Sequence, residues 1–164
     1  GVAVVTLVLV RHGMTDDNAA RRYTGWADVE MTDEGRRRVD EIRLPDRRWT
    51  SVHCSDLRRC VETAVRLGVD AMPTAALREF DFGSLTGLTW DDLDAAQQES
   101  MLGYDDFAAP DGETVAAFAD RVTGFIDDLG PGTHLLITHG GVIGLLLRRA
   151  GIERHVGPAQ WVEL

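Results

Sequence analysis

From Val2 to Val10 every residue except Thr6 is apolar. A run that does not alternate predicts a strand buried on both faces of a parallel sheet. It is too short to span a bilayer, and no basic region precedes it as a signal peptide requires. Further along, Thr32 is placed to cap a helix reaching about Leu44, ahead of Pro45. A β-like run at Thr50–Ser55 leads into a helix over Leu57–Leu67, which Gly68 ends. A short strand is expected within Val69–Thr74, and Thr89 is expected to cap a helix running through the acids at 91–94.

Val115, Phe118, Ala119, Val122, Phe125, Ile126 and Leu129 recur at the helical period within Glu113–Leu129, and Gly130-Pro131-Gly132 stops that helix. His134–Thr138 then reads as a strand, Val142–Ala150 as a helix and Gln160–Leu164 as an edge strand. Strands alternating with helices predict an α/β fold with a largely parallel sheet. The chain has no internal repeat, linker or low-complexity stretch, so one domain is expected to cover residues 1–164.

Composition removes several chemistries. All 17 basic side chains are Arg, and Lys is absent. That excludes a Schiff-base lysine, a PLP anchor, a P-loop lysine and a kinase ATP lysine. A GC-rich genome accounts for the bias more simply than function does. Against the arginines stand 27 acids, for a net charge of −10. This argues against nucleic acid or an anionic membrane as partner. Cys54 and Cys60 are too few and wrongly spaced for a disulfide framework or a zinc site, so a reduced, cytoplasmic protein is expected.

Sites in open α/β sheets form beyond the carboxyl ends of the strands. Two histidines fall there, each followed by glycine: His12 in Val10-Arg11-His12-Gly13, and His139 in Thr138-His139-Gly140-Gly141. Arg11 adjoins the first, and Arg59 follows the second strand in Ser55-Asp56-Leu57-Arg58-Arg59. Guanidinium groups bind phosphate through paired hydrogen bonds at any working pH. A phosphoryl group leaving an ester oxygen needs a nucleophile, charge stabilisation and an acid for the leaving group. His12 and His139 supply nucleophile and clamp, Arg11 and Arg59 supply charge, and Glu79 is the candidate acid.

These residues carry a resemblance. Arg11-His12-Gly13-Met14-Thr15 with Asn18 matches an R-H-G-x-T signature, with Met14 where many members carry Glu. Gly25, Trp26, Asp28, Thr32 and Gly35 follow, then Ser55-Asp56-Leu57 with Arg59, Thr63 and Ala64, then Thr138–Gly141. Four motifs in order over nearly the whole chain resemble the histidine phosphatase superfamily, the phosphoglycerate mutase-like group. The resemblance implies a three-layer α/β/α sandwich and a two-step reaction. His12 attacks phosphorus and forms a phosphohistidine, while Glu79 serves first as acid and then as base for water. Arg11, Arg59, His139, Asn18 and Gly140 hold the phosphoryl oxygens. No metal and no cofactor are implied.

The family divides between mutases and phosphatases. Mutases of this type read E-R-H-Y-G after the acid, whereas here Phe80 and Asp81 stand where those bases would be. With no lysine, and with Asp81 to repel anions, hydrolysis of a small phosphorylated metabolite is favoured over mutase transfer. A pseudophosphatase that only binds a phosphorylated ligand is disfavoured by the complete catalytic set. The stretch Leu77–Asp92 and Pro110–Thr114 resemble α-ribazole-5′-phosphate phosphatases of cobalamin assembly. Phe82, Trp90, Tyr104 and Phe107 either line a pocket that stacks on a flat base or are ordinary core and loop aromatics.

Overall fold

Leu7, Val8, Leu9 and Val10 are all buried, so neither face of the first strand meets water. The reason lies in the sheet around it. A computed structural model describes residues 4–164, and in it five strands take the order β3-β2-β4-β1-β5. They are β1 (Val5–Arg11), β2 (Ser51–Ser55), β3 (Met72–Thr74), β4 (Gly132–Thr138) and β5 (Trp161–Glu163). All neighbours run parallel except β5, which lies antiparallel on the edge beside β1. Val2 and Ala3, part of the expected first strand, lie outside the described residues.

Side chains alternate across the sheet and bury two separate clusters. Leu7, Leu9 and Leu136 face α5 (Val115–Asp127) and α6 (Gly140–Arg149). Val8, Val10, Leu135 and Ile137 face α3 (Arg58–Leu67), against which α2 (Asp33–Asp40) packs. The result is the three-layer α/β/α sandwich that the resemblance implied.

Three elements differ from expectation. The helix capped by Thr32 ends at Asp40 rather than near Leu44. Beyond it the chain turns so that Ile42 and Leu44 pack under the sheet, and Arg43 donates to the carbonyls of Asp40 and Ile42. The acids at 91–94 form only a single 3-10 turn, Trp90–Asp92. There Asp92 takes the Thr89 N–H and Asp94 the Gln97 N–H, so carboxylates capture backbone donors and the helix restarts as α4, Ala95–Leu102. Finally, α1 (Asp16–Ala20) is an extra turn made by a capping box between Thr15 and Asn18.

The register of the two central strands brings the predicted histidines together. Arg11 pairs with Thr138, so His12 and His139 leave the sheet side by side, and the His12 N–H donates to the Thr138 carbonyl at 3.1 Å.

Candidate active site

His12 and His139 are both buried, with ring centroids 5.2 Å apart in an edge-on arrangement. His12 Nδ1 lies 2.7 Å from the Gly13 carbonyl oxygen. A carbonyl only accepts, so Nδ1 carries the proton and Nε2 keeps a free lone pair. Burial, with Arg59 close by, pushes the His12 pKa down to about 3, so the ring is neutral. His139 is likewise held well below the ordinary imidazole range by burial and by its neighbour His12.

His139 is seated by β2. Its Nε2 lies 2.7 Å from Ser55 Oγ, which also accepts the Leu57 N–H at 3.3 Å. The Ser55 hydroxyl thus fixes the orientation of the ring through Nε2. Cys60 Sγ packs against the same ring at 3.5 Å, and burial pushes its thiol pKa up, so it stays protonated.

Two guanidinium groups border the histidines. Arg59 is buried and donates to the carbonyls of Gly25 at 2.8 Å and Ala27 at 2.7 Å. Arg11 donates to the Val156 carbonyl at 3.0 Å, and its Nε is a buried donor with no partner among the described residues. Neither has a carboxylate within ion-pair distance among the described residues. Burial lowers the pKa of both, yet a guanidinium remains charged at any physiological pH. The unpartnered Arg11 Nε requires an acceptor, and a phosphoryl oxygen supplies one.

Glu79 approaches from the long segment between β3 and α5. Its Oε1 accepts the Phe80 N–H at 2.8 Å and its Oε2 the Gly141 N–H at 3.0 Å. The glycines of α6 make room: a Cβ on Gly140 would stand 2.8 Å from Arg11 Cζ, and one on Gly141 would strike the Glu79 carboxylate. The sequence-predicted His12, His139, Arg11, Arg59, Glu79 and Gly140 therefore come together at one end of the sheet. Asn18 is engaged in capping α1: its Oδ1 accepts the Thr15 N–H at 3.0 Å, leaving its amide nitrogen for a ligand.

Several residues escaped the sequence reading. Arg121, on α5, donates to the carbonyls of Ala76 and Arg78 (both 2.9 Å) and of Glu79 (3.1 Å), while pairing with Glu113 at 2.8 Å. Trp26 Nε1 also donates to the Glu79 carbonyl, at 2.8 Å. Ser55 and Trp26 stood inside quoted motifs without a role, whereas Arg121 has no local signal at all. The buried His134 of β4 is satisfied by Ser51 at 2.6 Å and the Gly130 carbonyl at 2.9 Å.

Beside Glu79 and Gly141 opens an apolar cavity of about 300 Å³ whose walls include Tyr23, Phe82, Met101, Tyr104 and Phe107. Trp90 does not line it: its 3-10 turn faces solvent and its carbonyl accepts from Gln98. Asp81 is absent too, because its carboxylate folds back onto the Gly83 N–H at 3.0 Å.

Residues 7–161 match the model of the histidine phosphatase superfamily (branch 1). The chain belongs to that superfamily. It is 32% identical to glucosyl-3-phosphoglycerate phosphatase of Mycolicibacterium vanbaalenii, over 96% of this chain and 83% of the other. The crystal structure of phosphoglycerate mutase from Thermus thermophilus superposes with a TM-score of 0.89 at 36% identity, over 97% of this chain and 92% of that one. A candidate alpha-ribazole-5′-P phosphatase from Escherichia coli gives a TM-score of 0.82 at 25% identity, over 98% and 89%. As a histidine phosphatase superfamily member, the protein is an enzyme of phosphate chemistry. Among its described residues no helix is long and apolar enough to cross a membrane.

Proposed function

We propose that this enzyme hydrolyses phosphomonoesters of small metabolites through a phosphohistidine on His12, with α-ribazole 5′-phosphate the specific candidate. The observation that carries the reading is the buried Arg59 and half-buried Arg11, neither guanidinium with a carboxylate partner among the described residues, set beside two neutral histidines. An ester phosphate accepts from Arg11, Arg59 and His139, and its phosphorus then faces His12 Nε2. Attack forms the N–P bond as the ester P–O bond breaks, and Glu79 gives its proton to the departing alkoxide. Water next attacks phosphorus, Glu79 takes its proton, and the N–P bond breaks to regenerate neutral His12.

Alkoxide departs beside Glu79, so the cavity lined by Phe82, Tyr104 and Phe107 supports a leaving group with a flat apolar part. This favours an aromatic nucleoside-like ester such as α-ribazole phosphate over compact carboxylates. Both cysteines are free and buried, which suits a cytoplasmic setting. Mutase transfer is the second reading, supported by the Thermus relative. Its expected product would outrun free phosphate when 3-phosphoglycerate and a bisphosphorylated primer are supplied. The test is a panel of phosphorylated metabolites scored for phosphate release, with α-ribazole 5′-phosphate and 3-phosphoglycerate included. Release from neither these esters nor p-nitrophenyl phosphate rejects the hydrolase.

A further inference from the structure

Gly25, Trp26, Ala27 and Asp28 are consecutive, and all four bind elements of the centre although the chemistry above gives none of them a task. The carbonyls of Gly25 and Ala27 accept from the two terminal nitrogens of Arg59 at 2.8 and 2.7 Å. Between them in sequence, Trp26 donates its indole N–H to the Glu79 carbonyl at 2.8 Å. Asp28 accepts the Arg58 N–H at 2.7 Å. It thereby caps α3, the helix that carries Arg59 and whose own cap residue, Leu57, offers no side-chain acceptor.

Trp26 is 37% exposed, so core filling does not account for it. Its ring sits beside two cations instead. The guanidinium carbon of Arg78 stands 4.9 Å from the ring centroid and that of Arg121 5.9 Å. Arg78 also forks onto Asp56 at 2.7 and 2.9 Å, and Asp56 directly follows Ser55, which holds His139. Arg121 donates to the Glu79 carbonyl at 3.1 Å, so that with Trp26 both lone pairs of that oxygen are taken. One indole therefore joins the backbone of the candidate acid to the segments that hold Arg59 and seat His139.

We infer that Trp26 is a positioning residue: it sets where Glu79 stands relative to a phosphoryl group on Arg59, and so governs protonation of the leaving group. This role rests on the phosphatase reading of the site and adds to it a residue that touches no reacting atom. A phosphomonoester held by Arg59 presents its ester oxygen at a place fixed by the Gly25 and Ala27 carbonyls, and the acid must reach that oxygen. Consecutive residues of one backbone fix the spacing, which the chain from Arg59 to Glu79 is too long to fix alone.

Trp26→Phe removes the N–H and keeps an aromatic ring beside Arg78. The best alkyl ester of the metabolite panel supplies a poor leaving group, and p-nitrophenyl phosphate a good one. In Trp26→Phe, kcat is expected to fall about fivefold for the alkyl ester and to stay within about twofold for p-nitrophenyl phosphate, with KM unchanged for both. Trp26→His puts a ring nitrogen back where the indole N–H stood and should recover most of the loss. Beside Glu79→Gln, Trp26→Phe should slow the alkyl ester no further, because the group it positions no longer acts. Melting curves check that each variant is folded, and Trp26→Leu, which also lacks the N–H, replaces Trp26→Phe if that variant is not. Equal losses for both esters, kcat untouched for both, or an undiminished loss beside Glu79→Gln each overturn the role. An intact enzyme that hydrolyses no alkyl phosphate fails at the phosphatase reading itself, and the role of Trp26 falls with it.

Discussion

The N–H of Gly141 donates to Glu79 Oε2 across 3.0 Å, and the missing side chain of that glycine is the space in which the carboxylate sits. The second histidine motif thus holds the candidate acid as well as the candidate phosphate clamp. Gly141→Ala should displace Glu79 without touching His12. Phosphate release from alkyl esters is expected to fall about 10- to 100-fold, with a smaller loss for p-nitrophenyl phosphate. Glu79→Gln should reproduce the pattern. Equal losses across leaving groups, measured as kcat/KM, would remove Glu79 as the acid.

His12→Ala should abolish turnover of every ester. Rapid quenching of the intact enzyme with labelled substrate should trap a base-stable, acid-labile phosphoprotein that the variant lacks. Undiminished hydrolysis of p-nitrophenyl phosphate by the variant would end the covalent mechanism.

Ser55 orients His139 from a neighbouring strand, and replacing it with Ala leaves the imidazole free to rotate. The expected result is about a tenfold loss of kcat together with weaker inhibition by inorganic phosphate. An unchanged inhibition constant for phosphate would show that Ser55 does not set the clamp.

Arg121 ties the backbone of the Glu79 segment to α5 at three carbonyls, and its pair with Glu113 is largely shielded from solvent. Arg121→Ala should lower stability by about 2 kcal/mol and, like Glu79→Gln, slow poor leaving groups more than good ones. Melting curves and a leaving-group series separate the two effects. A stability loss with no change in leaving-group dependence would restrict Arg121 to folding.

The neutral histidines make stability depend on acid. His12 titrates at about 3 in the folded enzyme and near 6.5 when unfolded, so between these values the unfolded chain binds the extra proton. Folding free energy is therefore full above pH 6.5 and falls as the pH drops toward 3, by up to about 1.4 kcal/mol per pH unit for each such histidine. His139, also depressed by burial, acts in the same direction. Denaturant midpoints of wild type and His12→Asn between pH 7 and 4 check this; the variant should show the shallower slope.

Local signals carried much of this protein. An apolar run broken only by Thr6 marked an interior strand, helical spacing marked α5, and glycine after each of two histidines marked where the chain leaves the sheet. Phosphate chemistry could be read from those histidines and from Arg11 and Arg59, because residue type and strand-end position suffice for it. What the sequence does not determine depends on competition between neighbouring caps and, more often, on residues distant in the chain. Competing carboxylate caps at Asp92 and Asp94 decided where α4 begins, and burial of Ile42 and Leu44 decided where α2 stops. Only packing placed Phe82, Tyr104 and Phe107 both against the core and along a cavity wall, and left Trp90 outside. Arg121 reaches Glu79 across 42 residues, Ser55 reaches His139 across 84 and Arg11 reaches Val156 across 145. Such contacts have no local period or spacing, because they exist only once the strands are registered and both faces of the sheet are covered.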